Sequence, residues 1–544
     1  MLRGRNVNWA ITLCCGSAFL LFGYDQGVMS GLLTGQAFTK QFPEIDTTPG
    51  GTGSSSLQGT VVAIYEIGCL AGSLFAFFFG DRFGRRKMIM MGCSILIIGA
   101  ALQTSASGIP HMIVGRIVTG IGNGMNTSTV PVWHSETTTA KSRGKALSIE
   151  LAINIFGVMT AYWVDYGFSY INSAAQFRVP LAIQIVFALA TISLVLILPE
   201  SPRFLLKTGQ DEKARAVLDQ LSLHPDATRA EAVDMEFTEI KTALMEEEAN
   251  GLITKDGKRM SAVRACFTNG KERFFHRVML GVGAQFMQQL CGINLITYYA
   301  PGKCRHTFLS FVPANLQPFF ASQTVIFETS VGLSRDISLL LSGFNGVAYF
   351  LSSLIPIWII DRVGRRKLML FAVIGQASCM AILAGCTSVS HKGTGIIAAT
   401  MLFLFNFFFA VGLLAIPWLL PSEYSPTPIR AASAALGSAS NWIFTFLVVE
   451  ITPVSIKSIG YKTYVYFAVF NACFIPLIWF FYPESAKLTL EQIDYLFTGD
   501  KVLLHMPADM VNRRHGLEGA DVTGMGGLPP ADDKAALEYI EERA

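Results

Sequence analysis

The chain has 544 residues, of which 51% are hydrophobic and only 15% charged, whereas a soluble domain carries about 25% charged residues. This shortage, combined with long apolar runs, excludes an ordinary soluble enzyme, and a net charge of +3 is too small to call for nucleic acid. The ten cysteines sit mostly in apolar segments with no CxxC and no metal-ligand spacing, and read as small hydrophobes.

The first apolar run, 8–28, contains GYDQG and lacks a small-residue cleavage site, so it reads as a retained span rather than a signal peptide. Runs at 59–79, 88–107, 110–131, 146–168 and 178–198 complete a first set of six, each long enough to cross a bilayer as a helix. A polar stretch, 200–275, follows, with helical charge patterning in DEKARAVLDQL and MEFTEIKTALMEEE. Six more runs lie at 277–300, 337–360, 368–386, 395–419, 431–453 and 463–482. The tail beyond 490 is polar and contains Gly and Pro, the composition of a partly disordered segment. Loops 81–87, 141–145 and 361–367 are basic, while 29–58 and 169–177 hold almost no Lys or Arg. The positive-inside bias then places both termini and the middle segment in the cytoplasm.

Within the seventh run, Gln285–Tyr299 carries three glutamines, an asparagine and two tyrosines. Gln285, Gln288, Gln289 and Gly292 fall on one helix face. Neutral amides in an apolar helix either bridge helices or line a wet site for an uncharged, hydroxyl-rich ligand. Asp25 is the sharpest single residue, because a carboxylate inside a membrane costs about 2.5–3.5 kcal/mol on insertion scales. It lies late in span 1 and Arg116 early in span 4, and these spans run in opposite directions, so both fall at similar depth in the outer part of the membrane. The pair is either a proton carrier or a structural ion pair. No nucleophile–base pair or metal cluster is visible, so an enzyme is not expected.

The halves repeat. GDRFGRRK at 80–87 matches IDRVGRRK at 360–367, Glu136 with Arg143 matches Glu423 with Arg430, and PESPR at 199–203 matches PESAK at 483–487. With GYDQG at 23–27, GRIVTGIGNG at 115–124, PESPRFL at 199–205 and QQLCGIN at 288–294, the chain resembles the sugar porters of the major facilitator superfamily from residue 8 to 495. AYWVDYGFSY at 161–170 and IPWLLPSE at 416–423 resemble the fungal branch that includes glycerol/sugar–proton symporters.

The resemblance implies an all-α membrane protein with 12 transmembrane helices. These form two six-helix halves, 1–199 and 277–483, joined by a cytoplasmic helical linker, 200–276, and followed by a tail, 484–544. It implies that Asp25 and Arg116 couple transport to a proton, with no other cofactor. Gln288, Gln289 and Asn294 would hydrogen-bond sugar hydroxyls, with Asn345 and Asn441 as further amides, Trp418 as an aromatic wall, and Tyr298 and Tyr299 closing the outer side. Amides suit such a ligand because they both donate and accept. Asp81, Arg85, Arg86, Glu136, Arg143, Asp361, Arg365, Arg366, Glu423 and Arg430, joined by Glu200 and Glu484, would form a cytoplasmic latch between the halves. Their plainer reading is the positive-inside rule with solvated ion pairs. The expected partners are a small neutral sugar or polyol and the lipid bilayer, for a monomer in the plasma membrane. The alternatives are an uncoupled facilitator and a sugar-sensing receptor.

Two places depart from the family pattern. Span 5 has Leu151 where a sugar-binding glutamine is usual, flanked by Glu150 and Asn154. Residues 302–324 interrupt span 7, and their removal would restore YYAPVIFETSVG. Codons for Gly302–Lys303–Cys304, Ala314–Asn315 and Thr324–Val325 can spell a splice donor, a branch site and an acceptor, so the insert reads as a translated in-frame intron or as a true outer loop.

Overall fold

The computed structural model describes residues 3–47, 51–138, 143–223, 226–249, 260, 262–270, 273–299, 335–388, 394–486, 493 and 497. The insert 302–324 and the tail beyond 497 lie outside the described residues, which contain helices and no strand.

Helices correspond in order to every apolar run. The first six spans are Arg5–Leu32, Ser55–Phe83, Arg85–Ser105, Ile109–Thr137, Arg143–Ser169 and Ala175–Ile197. Span 7 is split into Phe274–Leu290 and Ile293–Tyr299. Span 8 is split into Arg335–Ser353 and Pro356–Val363, with a bend of 42°. Spans 9 to 12 are Arg365–Ser388, Thr394–Gly412 continued by Ile416–Tyr424, Thr427–Ile459 and Lys462–Phe481. Among the described residues, nine helices are long and apolar enough to cross a bilayer, or ten with the bent pair counted as one. Spans 4 and 7 are the remaining two. Both trade apolar for buried polar side chains: Arg116, Asn123, Asn126 and His134 in span 4, and Gln285, Gln288 and Gln289 in span 7.

In the first half, span 2 packs on span 4, span 1 on spans 5 and 6, and span 3 on spans 4 and 6. The GRIVTGIGNG motif explains how closely span 4 approaches span 2. A Cβ on Gly120 would lie 2.2 Å from the Tyr65 carbonyl oxygen, and one on Gly124 would lie 2.0 Å from that of Cys69. Only glycine lets these two backbones approach, which is how membrane helices gain packing where lipid gives no hydrophobic drive. In the second half, span 7 packs on spans 10 and 11, and span 9 on spans 10 and 12.

The halves meet along two seams, span 2 against span 11 and span 5 against span 8. Trp442 Nε1 donates to Ser73 Oγ at 3.0 Å across the first seam. Phe156 and Phe350 meet across the second with ring centres 5.2 Å apart and planes tilted by 60°. Large apolar side chains such as Ile98, Val186, Leu196, Ile374 and Phe480 point outward and are exposed. A surface of this kind is unfavourable in water and suited to lipid.

The linker forms helices Pro202–Lys207, Asp211–Leu221 and Asp226–Ala249, packed around Leu205, Leu206, Leu218, Val233 and Phe237. The chain start is bonded to it: Gly4 N donates to Gln220 O at 2.8 Å and Asn8 Nδ2 to Leu221 O at 3.2 Å. The N-terminus and the linker therefore share one end of the bundle, called the linker end below.

Candidate functional site

Two broken helices frame the site. Span 7 breaks at Gly292, whose φ of +98° lies in the region glycine tolerates. The freed Cys291 carbonyl accepts from Asn471 Nδ2 at 2.8 Å. Span 10 breaks between Gly412 and Ile416, which frees further carbonyls. Gln288 Nε2 donates to Leu413 O at 2.7 Å and Leu414 O at 3.0 Å, and Gln285 Nε2 donates to Pro417 O at 3.1 Å. Asn441 Nδ2 of span 11 donates to both amide oxygens, Gln285 Oε1 at 2.7 Å and Gln288 Oε1 at 2.9 Å. Three buried amides thus satisfy one another and the unwound backbone, as buried polar groups must.

Gln289 and Asn294 are placed differently. They bond each other across the span 7 break, Asn294 Nδ2 donating to Gln289 Oε1. The Gln289 Nε2 donor and the Asn294 Oδ1 acceptor have no hydrogen-bond partner among the described residues. Asn345 Oδ1 on span 8 is buried with no hydrogen-bond partner among the described residues. Trp418 is half-buried and packs on the second-half core. The side chains of Tyr298 and Tyr299 lie outside the described set. Tyr162 of span 5 closes the cleft from the other half, its hydroxyl donating to Thr297 O at 2.9 Å.

In the first half, Arg116 Nη1 donates to Asp25 Oδ1 at 3.4 Å, with both side chains essentially inaccessible. The guanidinium also donates to Val62 O at 2.9 Å and stacks 4.6 Å from the Tyr65 ring centre. Tyr65 in turn accepts from Asn123 Nδ2 at 2.7 Å. The arginine therefore has two supports besides the carboxylate, the Val62 carbonyl and the Tyr65 ring, both on span 2, and these remain whatever charge Asp25 carries.

At the linker end the repeated motifs make the same construction twice. Arg85 pairs with Glu136 at 2.9 Å, and Arg365 pairs with Glu423 at 3.0 Å and with Asp361 at 2.9 Å. Glu200 accepts from the backbone N–H of Arg85 and Arg86, each at 3.2 Å, capping span 3. Glu484 does the same for span 9, from Arg365 N at 2.8 Å and Arg366 N at 3.1 Å. Arg86 Nη2 donates to Leu196 O and Arg366 Nη2 to Trp479 O, both at 2.9 Å. Arg430 Nε donates to Ser425 O at 3.2 Å. All these bonds join helices of the same half. The side chains of Asp81 and Arg143 are outside the described set.

Several buried polar residues escaped the sequence reading. Glu66 lies within span 2, visible as a lone carboxylate in an apolar run. Asp165, within the AYWVDYG motif, accepts from Gly31 N at 3.2 Å. Of the span 5 residues that the sequence did single out, Leu151 is buried in the hydrophobic core, and Asn154 Nδ2 donates to Phe19 O at 3.3 Å.

Residues 9–497 match the family model "Sugar (and other) transporter". The chain is 37% identical to the sugar transporter STL1 of Saccharomyces cerevisiae over 501 residues, covering 91% of this chain and 82% of that one. It is 36% identical to the MFS-type transporter oryC of Aspergillus oryzae over 514 residues, covering 92% and 88%. Among solved structures it superposes on the proton:xylose symporter XylE bound to 6-bromo-6-deoxy-D-glucose with a TM-score of 0.71 and 25% identity, covering 90% of this chain and 99% of that one. A partially occluded, inward-open form of XylE from E. coli gives 0.68 at 24% identity, over 89% and 99%. These relatives are carriers rather than enzymes. A broken seventh helix lined with amides, two matched halves and a family match over nearly the whole chain lead to one statement: the chain belongs to the sugar transporter family of the major facilitator superfamily, and it is a transporter.

Proposed function

We propose that this transporter carries a small neutral monosaccharide, hexose or pentose, or a small polyol into the cell by proton symport, working as a monomer in the plasma membrane with both termini cytoplasmic. The buried Asp25–Arg116 pair carries the coupling part of this reading, because Asp25 is an acid inside the membrane whose single guanidinium partner has other acceptors to fall back on. Asp25 takes up a proton in one conformation and releases it in the other, and the halves rock about the site between them. The ligand sits against Gln289, Asn294 and Asn345, with its apolar face on Trp418, and Tyr298 and Tyr299 close over it. Asp81, Arg86, Arg143 and Glu200 belong with Arg85 and Glu136, and with their second-half counterparts, to the cytoplasmic latch. Gln288 and Asn441 act both as ligand contacts and as supports of the broken helices. The names of the relatives support a sugar, and that of XylE supports proton coupling.

The test is uptake of labelled glucose, xylose and glycerol by the insert-free form in a transport-null yeast at two pH values, with and without an ionophore. Uphill accumulation that collapses with the ionophore is expected for one of the three. Ionophore-insensitive, merely equilibrating uptake would replace symport by facilitation.

A further inference from the structure

The first half holds a second buried acid–base pair, well away from Asp25. His134, near the end of span 4, meets Glu150 of span 5 through Nδ1 and Oε1, and both side chains are buried. Its other nitrogen, Nε2, lies 3.2 Å from Thr12 Oγ1 of span 1. Span 1 starts and span 4 finishes at the linker end, so the pair sits in the linker-end part of the half. Asp25 lies a further 13 residues along span 1 from Thr12, on the order of 20 Å at 1.5 Å per residue.

The hydrogen bonds close in two protonation states. Thr12 Oγ1 lies 3.0 Å from the Asn8 carbonyl as well as beside His134. With neutral histidine, the Thr12 hydroxyl donates to Nε2 and Nδ1–H donates to Glu150. With imidazolium, Nε2–H donates to Thr12 Oγ1, and the hydroxyl proton turns to Asn8 O. One hydroxyl rotation serves both states, and no side chain has to move. Glu150 supplies the countercharge for the imidazolium, and its Oε2 has no hydrogen-bond partner among the described residues. A buried histidine with a carboxylate on one side and a two-way hydroxyl on the other is built to gain and lose a proton.

Other titratable groups face the pair. Cys15 of span 1 lies against His134 and Glu150, with Cys14 beside it and Cys93 on span 3 behind. Packed elements bring further charges to this end, among them Arg82 of span 2, Arg85, Arg86 and Lys87 of span 3, with Arg85 already held by Glu136, Arg203 and Lys207 of the linker helix Pro202–Lys207, and Asp361 and Arg362 of span 8. None of these replaces Glu150 as the histidine's direct partner.

We propose that His134 and Glu150 form a proton-binding site at the linker end of the first half, separate from Asp25. The site does not depend on the symport reading, since an uncoupled carrier would contain it equally. The test is carbon NMR of the purified full chain in detergent, labelled at the histidine ring carbon between the two nitrogens. Of the eight histidines, His134 is identified by the signal lost in His134→Gln. Its signal is expected to move reversibly between the neutral and the imidazolium position over a sweep from about pH 5 to about pH 9. At the pH where wild type is half charged, Glu150→Gln is expected to hold the neutral form, because the countercharge is gone. A His134 signal that stays in one form throughout, or that behaves identically in Glu150→Gln, overturns the proposal. Asp25→Asn leaves the titration in place, so failure of symport and failure of this site are told apart.

Discussion

Asp25 and Arg116 are 91 residues apart in sequence and meet inside the first half. If the pair carries the coupling proton, Asp25→Asn removes uphill accumulation while exchange of labelled for unlabelled ligand continues, and an accumulation assay beside a counterflow assay checks this. Unimpaired accumulation in Asp25→Asn would show the pair to be structural. The amides divide by what their donors already do. Gln288→Ala strips two unwound carbonyls of their donor, which is expected to cost about 1–3 kcal/mol per orphaned group. It should appear as a lowered melting temperature as well as weaker transport. Gln289→Ala leaves no backbone group orphaned, so it should raise KM several-fold with little change in melting. The sequence told that these amides share a helix face. It could not tell which were already spent, because the carbonyls they serve come from a break in span 10 that no residue pattern announces.

Breaks and caps decide the individual helices. The PES motifs are legible as a repeat, yet their visible role in the structure is to place a carboxylate on the first N–H groups of spans 3 and 9. This is the position where a negative charge offsets orphan donors and the helix dipole. Glu200→Ala and Glu484→Ala are each expected to cost about 1 kcal/mol of stability, and thermal unfolding of the purified protein checks it. Gly124→Val should be far more damaging, since the added side chain has the Cys69 carbonyl 2.0 Å away and no room to turn. Loss of folded protein on a sizing column is the expected result. Hydropathy found spans 4 and 7 less cleanly than the others for a physical reason: a helix that lines a polar interior has fewer apolar positions to count.

At the scale of the whole carrier, twelve runs, a charge-poor composition and matched landmarks were enough to read two six-helix halves, because membrane length and the cost of unpaired backbone leave few alternatives. The seams between halves were not readable, since Ser73 with Trp442 and Thr60 with Glu450 meet across hundreds of residues. Thr60 donates to Glu450 at 2.8 Å at the end away from the linker. Paired cysteines at 60 and 450 should therefore form an oxidant-induced cross-link that stops uptake reversibly, seen on a non-reducing gel beside a transport assay. Free cysteines under oxidant, with transport intact, would show that this end stands open. For a neutral ligand moved with one proton, a potential of about 100 mV supplies about 2.3 kcal/mol and one pH unit about 1.36 kcal/mol. Together these sustain a gradient of roughly 500-fold, large enough to separate symport from facilitation in one accumulation assay. Sequencing the transcript decides whether residues 302–324 belong to the carrier, and a message that lacks them would restore the sequence YYAPVIFETSVG beyond the break at Gly292.

The bonds from Gly4 and Asn8 to Gln220 and Leu221 tie the linker's second helix to the start of span 1. That gives an internal ruler. A pair of spectroscopic probes, one at the start of the chain and one on helix Asp211–Leu221, should hold a constant separation through a transport cycle. A probe moved from the linker to the end of span 12 should report every swing of one half against the other, measured from a platform the protein supplies itself.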